Sequence, residues 1–137
     1  MIERLHLPFP PSENDIYANL RRVPSKRYKT WKRVADNELL AQRRAKNIKP
    51  VLGPYRLQIV LDCGKRIFKN GNRRVIDCGN FEKAVSDWLK HNELITDDSF
   101  CEGQSIEWGW VGEGMCSVTV LPTNRVALPS QYREAAE

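Results

Sequence analysis

The sequence predicts a small α+β domain in which two main helices pack on one mixed sheet of about four strands. Segments with strand and helix periodicity follow one another in the order β-α-β-α-β-β. The chain has 137 residues, enough for one hydrophobic core but not for two, and its 41% hydrophobic and 28% charged residues are ordinary for a globular protein. We therefore predict one domain over residues 1–122 and an extended or partly disordered tail over residues 123–137.

The first half of the chain predicts one strand and one long helix. Residues 2–7 have the pattern of a strand that ends at Pro8, since proline lacks the N–H donor that a ladder needs. Residues 14–24 are predicted to be irregular, and Ser25 is the expected N-cap of a helix over residues 26–47. The apolar positions of this helix recur near the 3.6-residue period: Tyr28, Trp31, Val34, Ala35, Leu39 and Ala45 or Ile48. This spacing favours a buried stripe over a platform for stacking bases.

A central strand and a second helix are predicted next. Residues 55–62 begin with alternation and end in an apolar run, which is typical of a central strand. Residues 80–91 carry one apolar stripe, so they predict a helix that packs on the sheet. Asp77 or Asn80 is the expected cap of this helix.

The last two strands are predicted to form a hairpin. Residues 105–111 alternate, with apolar Ile106, Trp108 and Trp110 on one face. Residues 112–114, Gly-Glu-Gly, have the composition of a hairpin turn, and residues 115–121 then read as the returning strand.

Positive charge is concentrated in two segments of a chain whose net charge is +5. Residues 21–49 contain eleven Lys and Arg against two acids, and residues 65–74 contain five more cations, whereas residues 93–107 are acidic. Such segregation suits a phosphate-binding face beside a metal pocket, although a solvated helix and a charged loop would give the same pattern. The cations predicted to bind DNA are Lys26, Arg27, Lys29, Lys65, Arg66, Lys69, Arg73 and Arg74.

Several classes of function lack support in the sequence. No apolar run reaches about 18 residues and the N-terminus has no apolar signal region, so we expect a cytoplasmic protein without a membrane partner. The four cysteines are widely spaced, which favours free thiols over a zinc site. His6 and His91 have no catalytic partner at a suitable spacing. Phosphate-binding glycine motifs are absent, so no nucleotide cofactor is expected.

Acidic residues flank the second predicted helix and are the main candidates for chemistry. Asp77 precedes the helix, and Asp97 and Asp98 follow it. Magnesium-dependent phosphodiester hydrolysis needs hard oxygen ligands with a cation nearby, and Lys83 could be that cation. From the pattern alone, Asp77 could equally cap the helix and the acidic pair could form an ordinary turn.

Three segments, taken in order, resemble the RusA family of Holliday junction resolvases, small dimeric endonucleases that are frequent in phages and prophages. Residues 7–14, Leu-Pro-Phe-Pro-Pro-Ser-Glu-Asn, resemble the family's opening Pro-aromatic-Pro-Pro-Ser-x-Asn. The basic run into residues 77–83, Asp-Cys-Gly-Asn-Phe-Glu-Lys, resembles its Asp-x-Asp-Asn-x-x-Lys. Residues 94–98, Leu-Ile-Thr-Asp-Asp, resemble its Asp-Asp ending, and the similarity covers roughly residues 5–120.

This resemblance implies a homodimer that cuts four-way DNA junctions, a form of branched DNA, by paired symmetrical nicks with Mg²⁺ or Mn²⁺. It implies that Asp77 and Asp98 are catalytic metal ligands and that Lys83 is the catalytic lysine. Gly79 stands where the family has a further Asp, which removes a ligand and a negative charge. The acids that might compensate for this loss are Asp62, Glu82 and Asp97.

Three hypotheses follow from the sequence. The first is a DNA endonuclease specific for branched structure. The second is a weakened or inactive relative that binds branched DNA without cutting it, motivated by Gly79. The third is a structural or protein-binding module in which the basic faces are incidental, and steeply salt-dependent binding to junctions would count against it.

Overall fold

The four-stranded sheet at the centre of the fold has the strand order β1-β6-β4-β5, in a computed structural model that describes residues 1–18, 23–64 and 78–123. Strands β1 and β4 are each antiparallel to β6, and β5 is parallel to β4. A small two-stranded sheet, β2-β3, lies in the stretch that was predicted to be irregular. The elements are β1 (Ile2–Pro8), β2 (Tyr17–Ala18), β3 (Val23–Pro24), α1 (Lys26–Ala45), β4 (Tyr55–Asp62), α2 (Glu82–His91), β5 (Cys101–Trp108) and β6 (Met115–Pro122).

Both helices contribute to one hydrophobic core on one face of the sheet. On β4 the buried residues Tyr55, Leu57, Ile59 and Leu61 alternate with exposed or partly exposed ones, so only one face of this strand carries the core. The buried residues of α1 and α2 belong to the same cluster. The α+β class and the mixed sheet with two helices are thus confirmed. The predicted tail from residue 124 onward lies outside the described residues.

Helix α1 begins as the sequence predicts. The Ser25 hydroxyl accepts a hydrogen bond from the Tyr28 backbone N–H at 3.1 Å, which makes Ser25 the N-cap. The predicted stripe is buried at Tyr28, Trp31, Ala35 and Leu39. Val34 is 38% exposed, so its assignment to the buried stripe was wrong. The four buried positions already define the face that meets the core, and Val34 lies beside it.

Side chains of α1 hold the edge strand β1. The Trp31 indole N–H donates to the Pro8 carbonyl at 2.9 Å. The Gln42 amide accepts from the His6 backbone N–H at 2.8 Å and donates to the His6 carbonyl at 2.6 Å. Backbone groups of an edge strand would otherwise be open to pairing with another chain. Gln42 therefore closes part of the β1 edge and ties it to α1.

Helix α2 is attached to α1 through Asp36. The Trp88 indole N–H donates to Asp36 Oδ1 at 2.9 Å, and the rings of Trp31 and Trp88 meet edge to face with centroids 6.2 Å apart. A 3₁₀ turn, Cys78–Phe81, leads into α2. Phe81 occupies the N-cap position without a side-chain cap bond, so the prediction that Asn80 caps the helix was wrong.

The predicted hairpin of the last two strands does not form, because β4 lies between β5 and β6. The glycine-rich turn after β5 therefore passes the end of β4, where the Gly109 N–H donates to the Leu61 carbonyl at 2.9 Å and the Gly114 N–H to the Asp62 carbonyl at 3.0 Å. Strand β5 ends at Trp108, so Trp110 is outside the alternation and is 74% exposed. Strand β4 pairs with β5 on one side and with β6 on the other, and its buried residues belong to the core.

The C-terminus of α2 sets the path of the chain into the acidic turn Asp98–Phe100. The Leu94 N–H donates to the Leu89 carbonyl at 2.9 Å, and Glu93 between them has a φ of 58°. This is the left-handed position after a helix that glycine usually occupies. A side chain with a Cβ is strained there.

Replacing Glu93 by glycine is expected to raise the free energy of unfolding by about 1 kcal/mol, because the strain of a Cβ at positive φ disappears. Urea unfolding followed by circular dichroism measures the change. Glu93→Ala is the matched control, since it removes the carboxylate but keeps the Cβ. Equal stability of the glycine and alanine variants would contradict the explanation.

Neither α1 nor α2 is both long and apolar enough to cross a bilayer, and the same holds throughout the described part of the chain.

Candidate active site

Two of the three segments that the sequence singles out meet at the start of α2, and the third contacts the same helix. In the proline-rich segment, the Phe9 ring packs edge to face on Phe81 with centroids 5.0 Å apart. Phe9 also stacks on Trp108, with centroids 6.2 Å apart. The third segment contacts α2 through the turn Asp98–Phe100. The fold thus brings together residues separated by up to about 90 positions in sequence.

The proline-rich segment is fixed against the first turn of α1. The Ser12 hydroxyl donates to Asp15 Oδ2 at 3.1 Å, and Arg27 Nη1 lies 3.2 Å from the same oxygen. The Ser25 backbone N–H donates to the Ile16 carbonyl at 2.8 Å. The N-terminus of α1 is therefore held beside the segment that carries Phe9.

The two adjacent acids after α2 have different environments. Asp97 Oδ1 lies 3.0 Å from Lys90 Nζ, and the Ser99 hydroxyl donates to Asp97 Oδ2 at 3.1 Å. The hydrogen bond from Lys90 is the main reason why the pKa of Asp97 is lowered to about 2, with Asp98 and Ser99 adding to it. Asp98 forms no ion pair with any residue that the structure describes. Asp97 is thus engaged in a salt bridge, and Asp98 is the acid of the pair that remains for a ligand.

A buried tyrosine, Tyr55, begins β4 and pairs in the sheet with the residue that follows the Asp98 turn. Tyr55 is 0% exposed, and its hydroxyl has no hydrogen-bond partner of normal geometry within the described residues. In the sheet Tyr55 pairs with Cys101, which directly follows the turn that begins at Asp98. Burial is the main cause that raises the pKa of Tyr55. The charges of Cys101 and Asp98, a hydrogen bond with Cys101 and the charge of Glu82 add to it.

The first two residues of α2 have different partners. The buried Ser86 hydroxyl donates a hydrogen bond to Glu82 Oε1, one turn away on the helix. Lys83 Nζ lies 3.6 Å from Asp87 Oδ2, also one turn away. Glu82 is thus oriented by Ser86, and in the described part of the chain the ion-pair partner of Lys83 is Asp87 rather than Asp98.

Asp62 lies at the opposite end of β4 from Tyr55. The two residues are the first and last of this strand, so their Cα atoms are about 23 Å apart at roughly 3.3 Å per residue. The carboxylate is 3% exposed and accepts backbone N–H groups from three residues, at 2.9–3.1 Å: Gly64, Val111 and Gly112. The structure therefore does not bring Asp62 together with Asp98, and its carboxylate holds the turn that crosses the end of β4.

Carboxylates at both ends of α2 are of the kind that Mg²⁺ binds. Glu82 begins the helix and Asp98 follows it. Mg²⁺ commonly takes only one or two carboxylates, with waters and phosphate oxygens completing its shell. No group of three or more His, Cys, Asp or Glu placed to hold a metal occurs within residues 1–18, 23–64 and 78–123. Asp77, the other predicted ligand, lies outside these ranges.

Among the cations predicted to bind DNA, those that the structure describes lie on α1. Lys26, Arg27 and Lys29 are exposed in the first turns, where the helix dipole favours acids and where no acidic residue occurs. Beside them is a groove of about 610 Å³ lined by Pro8, Phe9, Lys26, Arg27, Thr30, Trp31 and Val34. The other predicted DNA-binding residues lie outside the described residues: Lys65, Arg66, Lys69, Arg73 and Arg74. The α1 cations thus extend from the proline-rich segment of the candidate site.

Two residues of the site escape reasoning from the sequence. Tyr55 reads as the first residue of a strand, and nothing local indicates that it pairs with the strand that follows the Asp98 turn. Ser86 follows Glu82 by four residues, which is the spacing of a side-chain pair on a helix. That spacing is the one signal that could have identified Ser86.

Comparison with known proteins gives one family. The family model of endodeoxyribonuclease RusA matches residues 8–120, which include the first segment from Pro8 onward and the whole of the other two. No curated protein matches the chain. The match confirms the family that the three segments resemble.

Proposed function

The chain belongs to the RusA family of endodeoxyribonucleases, and from this we propose that it is a Mg²⁺-dependent enzyme that resolves four-way DNA junctions by paired nicks. The observation that carries the proposal is the meeting of the three family segments around α2, with Asp98 left without an ion-pair partner in the described residues. A homodimer would place two such sites about a two-fold axis, as paired nicks in a symmetrical junction require.

The candidate residues would divide the chemistry between them. Asp77 and Asp98 would hold the cation, which when bound supplies an activated water and neutralises phosphate charge. Lys83 would stabilise the charge that develops on the phosphate. Its present ion pair with Asp87 joins partly exposed side chains at 3.6 Å, and such pairs are worth only about 0.3–0.5 kcal/mol. Lys83 can therefore leave Asp87 for a phosphate at little cost.

Binding to DNA would come from the α1 cations. Lys26 and Lys29 stand at the positive end of the helix dipole, which repels cations, and Arg27 beside them is paired with Asp15. Phosphate groups would relieve this repulsion and release counterions. Contacts to phosphate carry no base sequence, so the shape of the branched DNA would be the feature that is read.

The test is cleavage of a synthetic four-way junction beside a linear duplex of the same sequence, with Mg²⁺ or Mn²⁺ as the added cation. We expect symmetrical nicks in the junction, none without cation, and junction binding that weakens steeply with salt. Binding that is insensitive to salt, or equal cutting of both substrates, would contradict the proposal. Binding that does not depend on salt would favour the third hypothesis, in which the chain is a structural or protein-binding module.

A second candidate function is binding of branched DNA without cutting. It is favoured by Gly79, which occupies the exposed turn before α2 where the family has an Asp. Comparison of the natural protein with Gly79→Asp separates the two functions. A natural protein that cuts as fast as the variant contradicts the inactive-relative hypothesis. If the natural protein binds junctions tightly and only the Gly79→Asp variant cuts them, the inactive-relative hypothesis is supported.

A further inference from the structure

We propose that the face of the sheet opposite the core binds an unpaired nucleotide of single-stranded DNA, in a pocket that spans β1, β6 and β4. The pocket has a volume of about 540 Å³, which is within the usual range for ligand sites. None of the described residues that line it is a candidate for the chemistry of cleavage. The inference therefore adds a second contact with nucleic acid to the proposed function.

The floor of the pocket consists of side chains that point away from the core. His6, Ser117 and Val60 form one row across the three strands, since Ser117 pairs with both of the others. Thr119 and Gln58 form the next row. Along each strand these residues alternate with buried residues of the hydrophobic core. The floor thus presents two hydroxyls, an amide and an imidazole for hydrogen bonding.

A β-bulge places Arg4 at the β1 side of the pocket. The register of β1 against β6 shifts between Ile2 and Leu5, and Arg4 has a φ of 48°, which is strained for a residue with a Cβ. The Arg4 N–H donates to the Thr119 hydroxyl oxygen at 3.1 Å, so this conformation is held by a residue of the floor. Strained backbone of this kind is common at binding sites. Here it leaves a guanidinium group lining the pocket.

The turn after β5 places Trp110 at the β4 side of the pocket. Gly109 passes Val60 so closely that a Cβ on it would clash with the Val60 side chain. The Val111 N–H donates to the buried Asp62 carboxylate at 3.0 Å. Trp110 lies between these two fixed residues, lines the pocket and is 74% exposed. An exposed indole on a fixed turn offers a ring face on which a base can stack.

The chemistry of these groups favours a nucleotide as the ligand. Arg4 supplies positive charge, Lys46 Nζ lies 3.3 Å from the Arg4 carbonyl, and no described residue that lines the pocket is acidic, so the pocket suits an anion. Amide and hydroxyl side chains bind the edges of unpaired bases, and aromatic rings bind their faces. In a duplex those faces are stacked on one another. The pocket therefore fits a base and its phosphate in a single strand.

The experiment measures binding of a fluorescently labelled single strand of about eight thymidine nucleotides to the full chain, by fluorescence anisotropy without a divalent cation. We expect Trp110→Ala to weaken this binding by about tenfold and to leave binding of a linear duplex unchanged. The matched control is Leu52→Ala, which truncates an apolar side chain that is 77% exposed and lies outside the pocket. A strand of abasic sites keeps the phosphates and should bind the natural protein as weakly as the intact strand binds Trp110→Ala.

Arg4→Gly gives a second readout, with two effects of opposite sign. The variant should melt at a higher temperature, because the strain of a Cβ at positive φ disappears, and should bind the strand roughly fivefold more weakly, because the guanidinium is gone. Arg43→Gln removes the same charge from an exposed position on α1 and should weaken binding less. Equal losses in the two variants would assign the affinity to overall charge and would overturn the inference.

Three further results would overturn it. The first is unchanged affinity for the strand in Trp110→Ala. The second is binding of thymidine monophosphate as tight as that of the strand, which would make the pocket a site for a free nucleotide. The third is a change of oligomeric state in Trp110→Ala, measured by sedimentation, which would make this face a contact between copies of the chain.

Failure of this inference and failure of the proposed function give different results. If the natural protein cuts junctions and Trp110→Ala binds the strand normally, the enzyme stands and the pocket is not a nucleotide site. If binding of the strand depends on Trp110 but no junction is cut, the pocket stands and the nuclease proposal fails.

Discussion

Asp98→Asn is expected to abolish nicking of a four-way junction, with a loss on the order of 10²–10³-fold or more, while junction binding persists. The substitution keeps the size of the side chain and removes the charge that would hold the cation. Asp98 forms no ion pair with a described residue, so no salt bridge within that part of the chain is lost. The α1 cations, which would carry the affinity for phosphate, are unaltered.

Nicking is measured on labelled junctions with Mg²⁺, and binding by mobility shift in Ca²⁺ or without a divalent cation. The matched control is Asp97→Asn, which changes the adjacent acid. It should lower stability through the lost pairing with Lys90 but leave nicking per folded molecule nearly unchanged. Undiminished nicking by Asp98→Asn would contradict the assignment of Asp98 as a metal ligand. Equal losses of nicking in both variants would show that a disturbed turn, rather than loss of the Asp98 carboxylate, is the cause.

The sequence predicts those parts of the fold that depend on neighbouring residues, such as the bounds of a strand or the start of a helix. Alternation in β4 gave its bounds at Tyr55 and Asp62, and the 3.6-residue stripe with Ser25 gave the start of α1. Strand order could not be obtained this way. The turn over residues 112–114 looks like a hairpin, but β5 pairs with β4 and β4 with β6. These pairings join residues far apart in the sequence, which no local pattern specifies.

The sequence identifies the three segments of the candidate site but not the contacts that their side chains make. The order of the three segments indicates that they act together, and the fold places them together. The difference between Asp97 and Asp98 arises from Lys90, and sequence alone gives no reason to prefer one acid over its neighbour. The pairing of Tyr55 with Cys101, which follows the Asp98 turn, depends on the sheet register, which no local pattern specifies.

Asp62→Ala is expected to lower the free energy of unfolding by about 3–5 kcal/mol. The buried carboxylate accepts three backbone N–H groups, and hydrogen bonds to a charged group are worth about 1.5–3 kcal/mol each, though not additively. Alanine would leave these N–H groups without their partner. The affected backbone is the loop after β4 and the turn that carries the chain across the end of β4 to β6.

Urea unfolding measures this loss, and an unchanged dependence on urea concentration would show that the same surface is exposed. Asp62→Asn is the matched control, because it keeps one acceptor oxygen and should lose less stability. Since Asp62 lies about 23 Å along β4 from Tyr55, Mn²⁺ affinity of the folded variant should match that of the natural protein. A stable Asp62→Ala protein that no longer binds Mn²⁺ would instead make Asp62 the compensating ligand, and would move the cation site to the other end of the sheet.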